Sequence, residues 1–164
     1  MGSEVIKIAN CSGYYGDRLS AAKEMVEGGP IDVLTGDYLA ELTMTILFNQ
    51  KLKRGDDKGY VGTFLKQLKD VAKTCKEKEI KIVTNAGGLN PKSMANEIQI
   101  ILSELGLEMQ VAYIDGDDLM PRMSDLQNSG EEFINIDKEI SLKDSGYTTS
   151  VSYTHLTLPT IYSV

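Results

Sequence analysis

Apolar residues along the chain alternate between short β-branched runs and longer stretches with helical spacing. The β-branched runs occupy residues 4–9, 31–34, 80–83 and 109–114, and each has the length of a buried strand. Apolar residues three and four positions apart fill the intervals, which predicts helices. The alternation indicates an α/β fold, a Rossmann-like, doubly wound parallel sheet flanked by helices. An open sheet is preferred to a barrel, although lengths and spacings leave both open.

Five helices are predicted from apolar spacing and from residues that favour helix ends. Asp37 can cap the second helix, whose buried stripe would be Leu39, Leu42, Ile46 and Leu47. The polar composition of two further segments indicates surface connections, the second with one or two short elements. The predicted helices cover residues 19–26, 38–48, 60–78, 92–105 and 123–129, and the connections cover residues 49–59 and 131–143.

A turn with two glycines, Gly87 and Gly88, joins the third predicted strand to the fourth predicted helix. Asn90 is a good N-cap for that helix, and Pro91 suits its first position. Glycines let a backbone approach a ligand closely, and a helix start offers free N–H groups to an anion. The turn is therefore either a ligand-binding loop or only a tight connection between two elements.

Polar and acidic side chains follow each predicted strand, whereas ordinary charged or glycine linkers precede the strands. In a parallel sheet all the carboxyl ends lie at one edge, where ligands of α/β proteins bind. We therefore predict a ligand site at this edge, with Asp37 and Asp117 as catalytic carboxylates. The ligand-binding candidates are Asn10, Ser12, Gly13, Asp17, Arg18, Thr35, Gly36, Asn85, Gly87, Gly88 and Asn90.

Three acidic residues, Asp115, Asp117 and Asp118, follow the fourth predicted strand. Carboxylate oxygens suit Mg²⁺, so this group could bind Mg²⁺ while the glycine turn holds a phosphate. The spacing does not match a calcium loop. The alternative is that Asp117 or Asp118 caps a helix start and that the others are solvated.

Composition narrows the class of protein. The net charge of -7 over 164 residues, with no basic patch, argues against a general nucleic-acid binder. No apolar run is long enough to cross a membrane and no signal peptide is recognised, so we expect a cytoplasmic protein without a membrane partner. Cys11 and Cys75 are too few for a disulfide framework, and Cys11 has no histidine partner that would make it a nucleophile.

Four runs of residues resemble the acyclic terpene utilisation (AtuA) family, and the resemblance extends over about residues 4–145. Such long runs are far more specific than a short motif. The runs are residues 10–18 (NCSGYYGDR), 26–44 (VEGGPIDVLTGDYLAELTM), 82–91 (IVTNAGGLNP) and 116–119 (GDDL).

The family is associated with bacterial breakdown of acyclic terpenoids such as citronellol and geraniol, which proceeds through acyl-CoA intermediates. The resemblance implies a catabolic enzyme or enzyme subunit that acts on a small molecule, such as an acyl-CoA. It assigns neither a reaction nor catalytic residues. A non-catalytic ligand-binding or assembly module of the same pathway is the alternative, and the chain could form a homo-oligomer.

The end of the chain departs from the family. Members are considerably longer, so residues 1–148 are predicted to be the N-terminal part of a truncated α/β domain. Residues 149–164 are predicted to be a non-native tail, because the run from residue 151 resembles translated sequencing-adapter DNA. Its Thr, Tyr, Ile and Val content would also suit a strand. His155, the only histidine, lies in this tail, so chemistry elsewhere would rely on other side chains.

Overall fold

The structure is a computed structural model that describes residues 5–116, 119–135 and 139–145. The described residues fall into two compact units. The first contains the sheet and its described part runs to Asp115, and the second begins at Gly116. Asp117, Asp118 and the tail predicted after residue 148 lie outside the described residues.

Three parallel strands form the sheet of the first unit, in the order β1-β2-β3. β1 is Ile8–Asn10, β2 is Val33–Gly36 and β3 is Lys81–Thr84. Each strand ends one or two residues later than the sequence predicted, so the polar loops begin slightly later as well. The predicted α/β class with a parallel sheet is confirmed.

Four helices accompany these strands in the first unit. α1 (Ala21–Gly28) follows β1, α2 (Glu41–Arg54) and α3 (Gly62–Glu77) follow β2, and α4 (Pro91–Glu104) follows β3. α1 packs against α3 and against the first two strands, and α4 packs against α3. The inner face of α3 is buried and includes Cys75. One cluster of the core contains Cys11, Ala21, Ala22, Val26, Leu34, Val71, Cys75 and Ile80.

The two faces of the sheet differ in burial. Ala9, Leu34 and Ile82 lie in register across the three strands, and Leu34 belongs to the core beside α1 and α3. Side chains alternate between the two faces along each strand, so the residues before and after these three in their strands point to the opposite face. There Ile8 is 61% exposed and Val83 is 46% exposed. The helices α1 and α3 therefore lie on one face, and the described part of the other face is open.

The predicted start of α2 is wrong, and its predicted buried stripe is confirmed only in part, since Leu39 and Leu47 are buried. The helix begins at Glu41 with Ala40 as its N-cap, because Asp37 takes part in a contact between strand-end loops instead of capping the helix. Leu42 does not belong to the buried face, because its side chain is 71% exposed. Thr43, Met44 and Leu47 are the buried residues of the helix, and it continues to Arg54 through half of the predicted surface loop at residues 49–59.

The fourth predicted strand, at residues 109–114, is absent from the described structure. This segment is irregular, and Ile114 is 73% exposed. Residues with high β propensity form a strand only where a neighbouring strand and a packed face accept them. In the described sheet β3 pairs with β2 alone, and this segment does not pair with the other edge of β3.

The second unit contains only short elements in its described part. A 3₁₀ turn at Met120–Arg122 leads into α5 (Met123–Asn128), which confirms the predicted short helix. An antiparallel bridge between Ile134 and Ser141 precedes α6 (Leu142–Ser145). The polar connection with one or two short elements is thus confirmed for the residues described.

Candidate functional site

Hydrogen bonds join the loops that follow the three strands. The Asp37 N–H donates to the Ser12 carbonyl oxygen at 3.0 Å, which links the loops after β2 and β1. The Tyr38 N–H donates to Asn85 Oδ1 at 2.8 Å, which links the loop after β2 to the one after β3. The predicted convergence of Asn10, Asp37 and Asn85 at one edge of the sheet is therefore a geometric feature of this structure.

Asp37 holds an exposed carboxylate at this edge. Its Oδ1 accepts a hydrogen bond of 2.6 Å from Asn85 Nδ2, while the residue itself is exposed. Asn85 is only 7% exposed, and its bond from the Tyr38 N–H fixes the direction in which its amide points. Among the described residues Oδ2 of Asp37 has no hydrogen-bond donor. The arrangement presents one carboxylate oxygen that can accept a proton or bind a hydroxyl group or cation.

Asp17 and Arg18 are used within their own loop and helix. The backbone N–H groups of Gly13 and Arg18 donate to Asp17 Oδ2 and Oδ1 at 2.9 and 2.7 Å. These two bonds hold the pKa of Asp17 below its usual value, and the bond from Gly13 has the larger effect. The Arg18 guanidinium lies 2.8 Å from a carboxylate oxygen of Glu24. In this structure the pair therefore braces the loop, and an anion would have to compete with Glu24 for Arg18.

Asn10 and Thr35 lie side by side at the carboxyl ends of β1 and β2. Thr35 Oγ1 donates to Asn10 Oδ1 at 3.2 Å, and Asn10 Nδ2 donates to the Ser12 carbonyl oxygen at 2.8 Å. Asn10 is exposed and Thr35 is half-buried, so both can be reached from outside. Ser12 is 2% exposed and its hydroxyl donates to the Tyr14 carbonyl oxygen, so Ser12 is a structural residue here.

The glycines of the turn after β3 are enclosed by protein. A Cβ on Gly87 would lie 2.6 Å from Pro91 Cβ, and one on Gly88 would lie 2.4 Å from Leu47 Cδ1 and 2.9 Å from the Gly59 carbonyl oxygen. Gly36 is similarly close to the ring of Tyr38. Since both glycines of the turn are buried, their close approach is to this chain's own residues.

Asn90 fulfils the capping role predicted from the sequence. Its Oδ1 accepts a hydrogen bond of 3.1 Å from the Ser93 N–H at the start of α4. Its Nδ2 donates to the carbonyl oxygens of Asp56 and Lys58 at 2.8 and 3.2 Å. The side chain thus ties the loop before α3 to the start of α4, and its polar atoms are occupied by protein groups.

A buried polar cluster behind Asp37 was missed by the sequence analysis. The Tyr38 hydroxyl donates to Gln67 Oε1, and Gln67 Nε2 donates to the Arg18 carbonyl oxygen at 3.3 Å. Burial raises the pKa of the Tyr38 hydroxyl and of the nearby Cys11 thiol, so both stay protonated near neutral pH. The sequence feature that could have indicated this cluster is Gln67, a polar residue on the apolar inner face of α3.

The predicted magnesium group is only partly visible. Asp115 is exposed, whereas Asp117 and Asp118 lie outside the described residues. In the described ranges, no three Asp, Glu, Cys or His side chains are arranged to hold a metal ion. The Mg²⁺ site and the catalytic role of Asp117 stay predictions.

The family model of acyclic terpene utilisation family protein AtuA matches residues 6–157. The chain belongs to the acyclic terpene utilisation family. No curated protein matches the chain, and no solved structure does either. The resemblance seen in the sequence is therefore confirmed. The match includes residues 151–157 of the segment predicted to be a non-native tail.

The AtuA match covers all three strands and the loops that follow them. It names a process, the utilisation of acyclic terpenes, and gives no roles to individual residues. In the part of the chain that the structure describes, no helix combines the length and apolarity needed to span a membrane. Assignment of chemistry thus depends on the geometry around Asp37.

Proposed function

We propose that this AtuA-family chain is a cytoplasmic enzyme or enzyme subunit in the breakdown of acyclic terpenoids or related branched acyl compounds. Its ligand binds at the carboxyl edge of the sheet. The observation that carries the proposal is the exposed Asp37 carboxylate, which Asn85 holds at 2.6 Å in the middle of the joined strand-end loops. Open α/β sheets bind ligands at this edge.

Asp37 acts as the proton acceptor or as the ligand of a bound cation in this proposal. A carboxylate held by a buried amide keeps its direction, which a general base requires for proton transfer within hydrogen-bond reach. Asn10 and Thr35 lie on the neighbouring strand ends, where a hydroxyl and an amide can orient a polar acyl group. The branched hydrocarbon part of the ligand then needs an apolar surface, which the open face with Ile8 and Val83 offers.

Replacement of Asp37 tests the proposal. The probe is a coenzyme A thioester of a branched, acyclic ten-carbon acid, titrated into the full chain by calorimetry. Asp37→Asn keeps the size and the contact with Asn85 but removes the charge, so we expect at least about a tenfold loss of affinity. Asp70→Asn, which changes an exposed carboxylate on α3, is the matched control and should bind as the parent does. Equal affinity together with equal turnover of the thioester by the Asp37→Asn variant and the parent would refute a role for Asp37.

A non-catalytic binding or assembly module is the second candidate. It is favoured by the residues around Asp37, which are amides and hydroxyls without a nucleophile–base pair in the described part of the chain. The two candidates differ in turnover. Incubation of the thioester with the chain, with and without Mg²⁺, should give a new product by mass spectrometry if the chain is an enzyme by itself. Binding with the thioester recovered intact favours the module.

A further inference from the structure

The outer surfaces of α3 and α4 form a groove with an apolar floor. The floor is lined by Leu65 of α3 and by Ile100 and Ile101 of α4, and Ile100 is 53% exposed. We name this feature the α3–α4 groove. Its volume is about 250 Å³, the space of roughly eight water molecules at about 30 Å³ each. It is therefore large enough to accept an aliphatic side chain.

The two rims of the α3–α4 groove carry opposite charges. Lys66 and Lys69 stand on the α3 side, and Glu97 and Glu104 stand on the α4 side. Lys69 Nζ lies 3.8 Å from Glu104 Oε2 across the groove, and both side chains are more than half exposed. One helix thus supplies a positive rim and the other a negative rim beside the same apolar floor.

This pattern is self-complementary under one symmetry operation. In an isologous dimer the two-fold axis lies in the plane of the interface. An axis across the groove would stack α3 on α3 and place like charges together. An axis along the groove stacks α3 of one copy on α4 of the other, so each lysine rim meets a glutamate rim. Electrostatic complementarity selects the second arrangement.

We infer that the α3–α4 groove is the interface of a homodimer whose two-fold axis runs along the groove. The exposed Ile100 of each copy then enters the apolar floor of the partner. Lys69 of each copy meets the partner's Glu104, because these two residues already face each other across the groove. The occupant is a second copy of this chain, and the inference does not depend on the proposed function.

The area of the α3–α4 groove limits the expected affinity of the dimer. α3 has 16 residues and α4 has 14, so at 1.5 Å per residue they are about 24 and 21 Å long. Two such helices about 10 Å apart offer roughly 400 Å² per copy, half of a standard interface. We therefore expect a weak dimer that dissociates on dilution.

Sedimentation equilibrium of the full chain over about 1 to 200 μM tests the inference. The parent should pass from monomer to dimer, and Ile100→Asp should weaken the dimer by about tenfold or more, because it places a charge in the apolar floor. Leu52→Asp is the matched control, since Leu52 is 69% exposed on α2 and outside the groove. A parent that is monomeric throughout, or a dimer that is insensitive to Ile100→Asp, overturns the inference.

A mixing experiment identifies the symmetry. Lys69→Glu alone opposes two glutamates across the interface, and Glu104→Lys alone opposes two lysines, so each variant should be mostly monomeric. A mixture of the two should recover the parent's dimerisation, because each new charge meets its opposite in the other copy. Exposed charges contribute little to folding, so circular dichroism should be unchanged. A mixture that remains as monomeric as its components rejects the axis along the groove.

Discussion

At the scale of single residues, Asn85 has more influence on the candidate site than any other described side chain. It accepts the Tyr38 N–H and donates to Asp37, so one nearly buried amide fixes both the backbone and the carboxylate of the loop after β2. Sequence analysis placed Asn85 at the correct edge of the sheet but as a ligand contact. The hydrogen bonds of its side chain both serve the loop of the neighbouring strand.

Replacement of Asn85 by alanine should therefore lower stability and affect the site. The Tyr38 N–H is buried, and loss of its acceptor leaves an unsatisfied donor that costs about 1 to 3 kcal/mol in the free energy of unfolding. Urea denaturation followed by circular dichroism measures this loss. Asn96→Ala, at an exposed position of α4, is the control and should cost nothing, because alanine is the better helix former. Equal midpoints for the two variants would show that the link between the loops is energetically unimportant.

At the scale of elements, the sequence pattern predicted the helix ends that depend on local residues. It failed where contacts with distant residues decide where a helix begins or whether a strand forms. Asn90 and Pro91 define the start of α4 by themselves, so that prediction is confirmed. Asp37 has equally good capping chemistry, yet Asn85 recruits it from 48 residues away and α2 begins at Glu41 instead. The segment at residues 109–114 has the composition of a strand, but pairing depends on a neighbour that composition does not reveal.

The turn after β3 illustrates the same limit for glycines. Spacing indicated a turn that a ligand could approach, whereas the structure shows Leu47 and the Gly59 carbonyl oxygen against Gly88. A glycine that accommodates a ligand and one that accommodates a helix look alike in a sequence, because both lack a Cβ for the same steric reason. Only the position of α2 distinguishes them, and that position results from long-range packing.

Gly88→Ala should consequently destabilise the fold without any ligand present. The backbone at Gly88 has φ +52°, and the added Cβ would lie 2.4 Å from Leu47 Cδ1 and 2.9 Å from a backbone oxygen. The strained conformation and the overpacking together should cost about 2 to 4 kcal/mol. Gly28→Ala is the control, because nothing lies within 4 Å of its Cβ position at the end of α1. Thermal melts that place both variants at the parent's midpoint would mean that the turn opens to accommodate the methyl group.

At the scale of the whole molecule, the alternation of strands and helices was sufficient to give the α/β class and the convergence of the strand-end loops at one edge of the sheet. It did not reveal that α1 and α3 would share one face and leave Ile8 and Val83 exposed on the other. The sequence marks which residues are apolar, but the crossovers determine which face they cover. The buried cluster of Tyr38 and Gln67 is likewise formed by two elements that are far apart in the chain.

Burial of Cys75 makes the stability of the whole fold depend on pH in the alkaline range. Its side chain is fully buried in the core, and burial raises its pKa from 9.0 to about 11. Between these values the unfolded chain has lost the thiol proton while the folded chain retains it, so the free energy of unfolding must fall as pH rises from 9 to 11. Below pH 9 both states are protonated and this contribution is constant.

In urea titrations at several pH values under reducing conditions, Cys75→Val should lose stability less steeply than the parent over that interval. Parallel pH profiles for the two proteins would contradict the prediction. They would show that the folded chain accepts the Cys75 thiolate in the core beneath α3 as readily as the unfolded chain does.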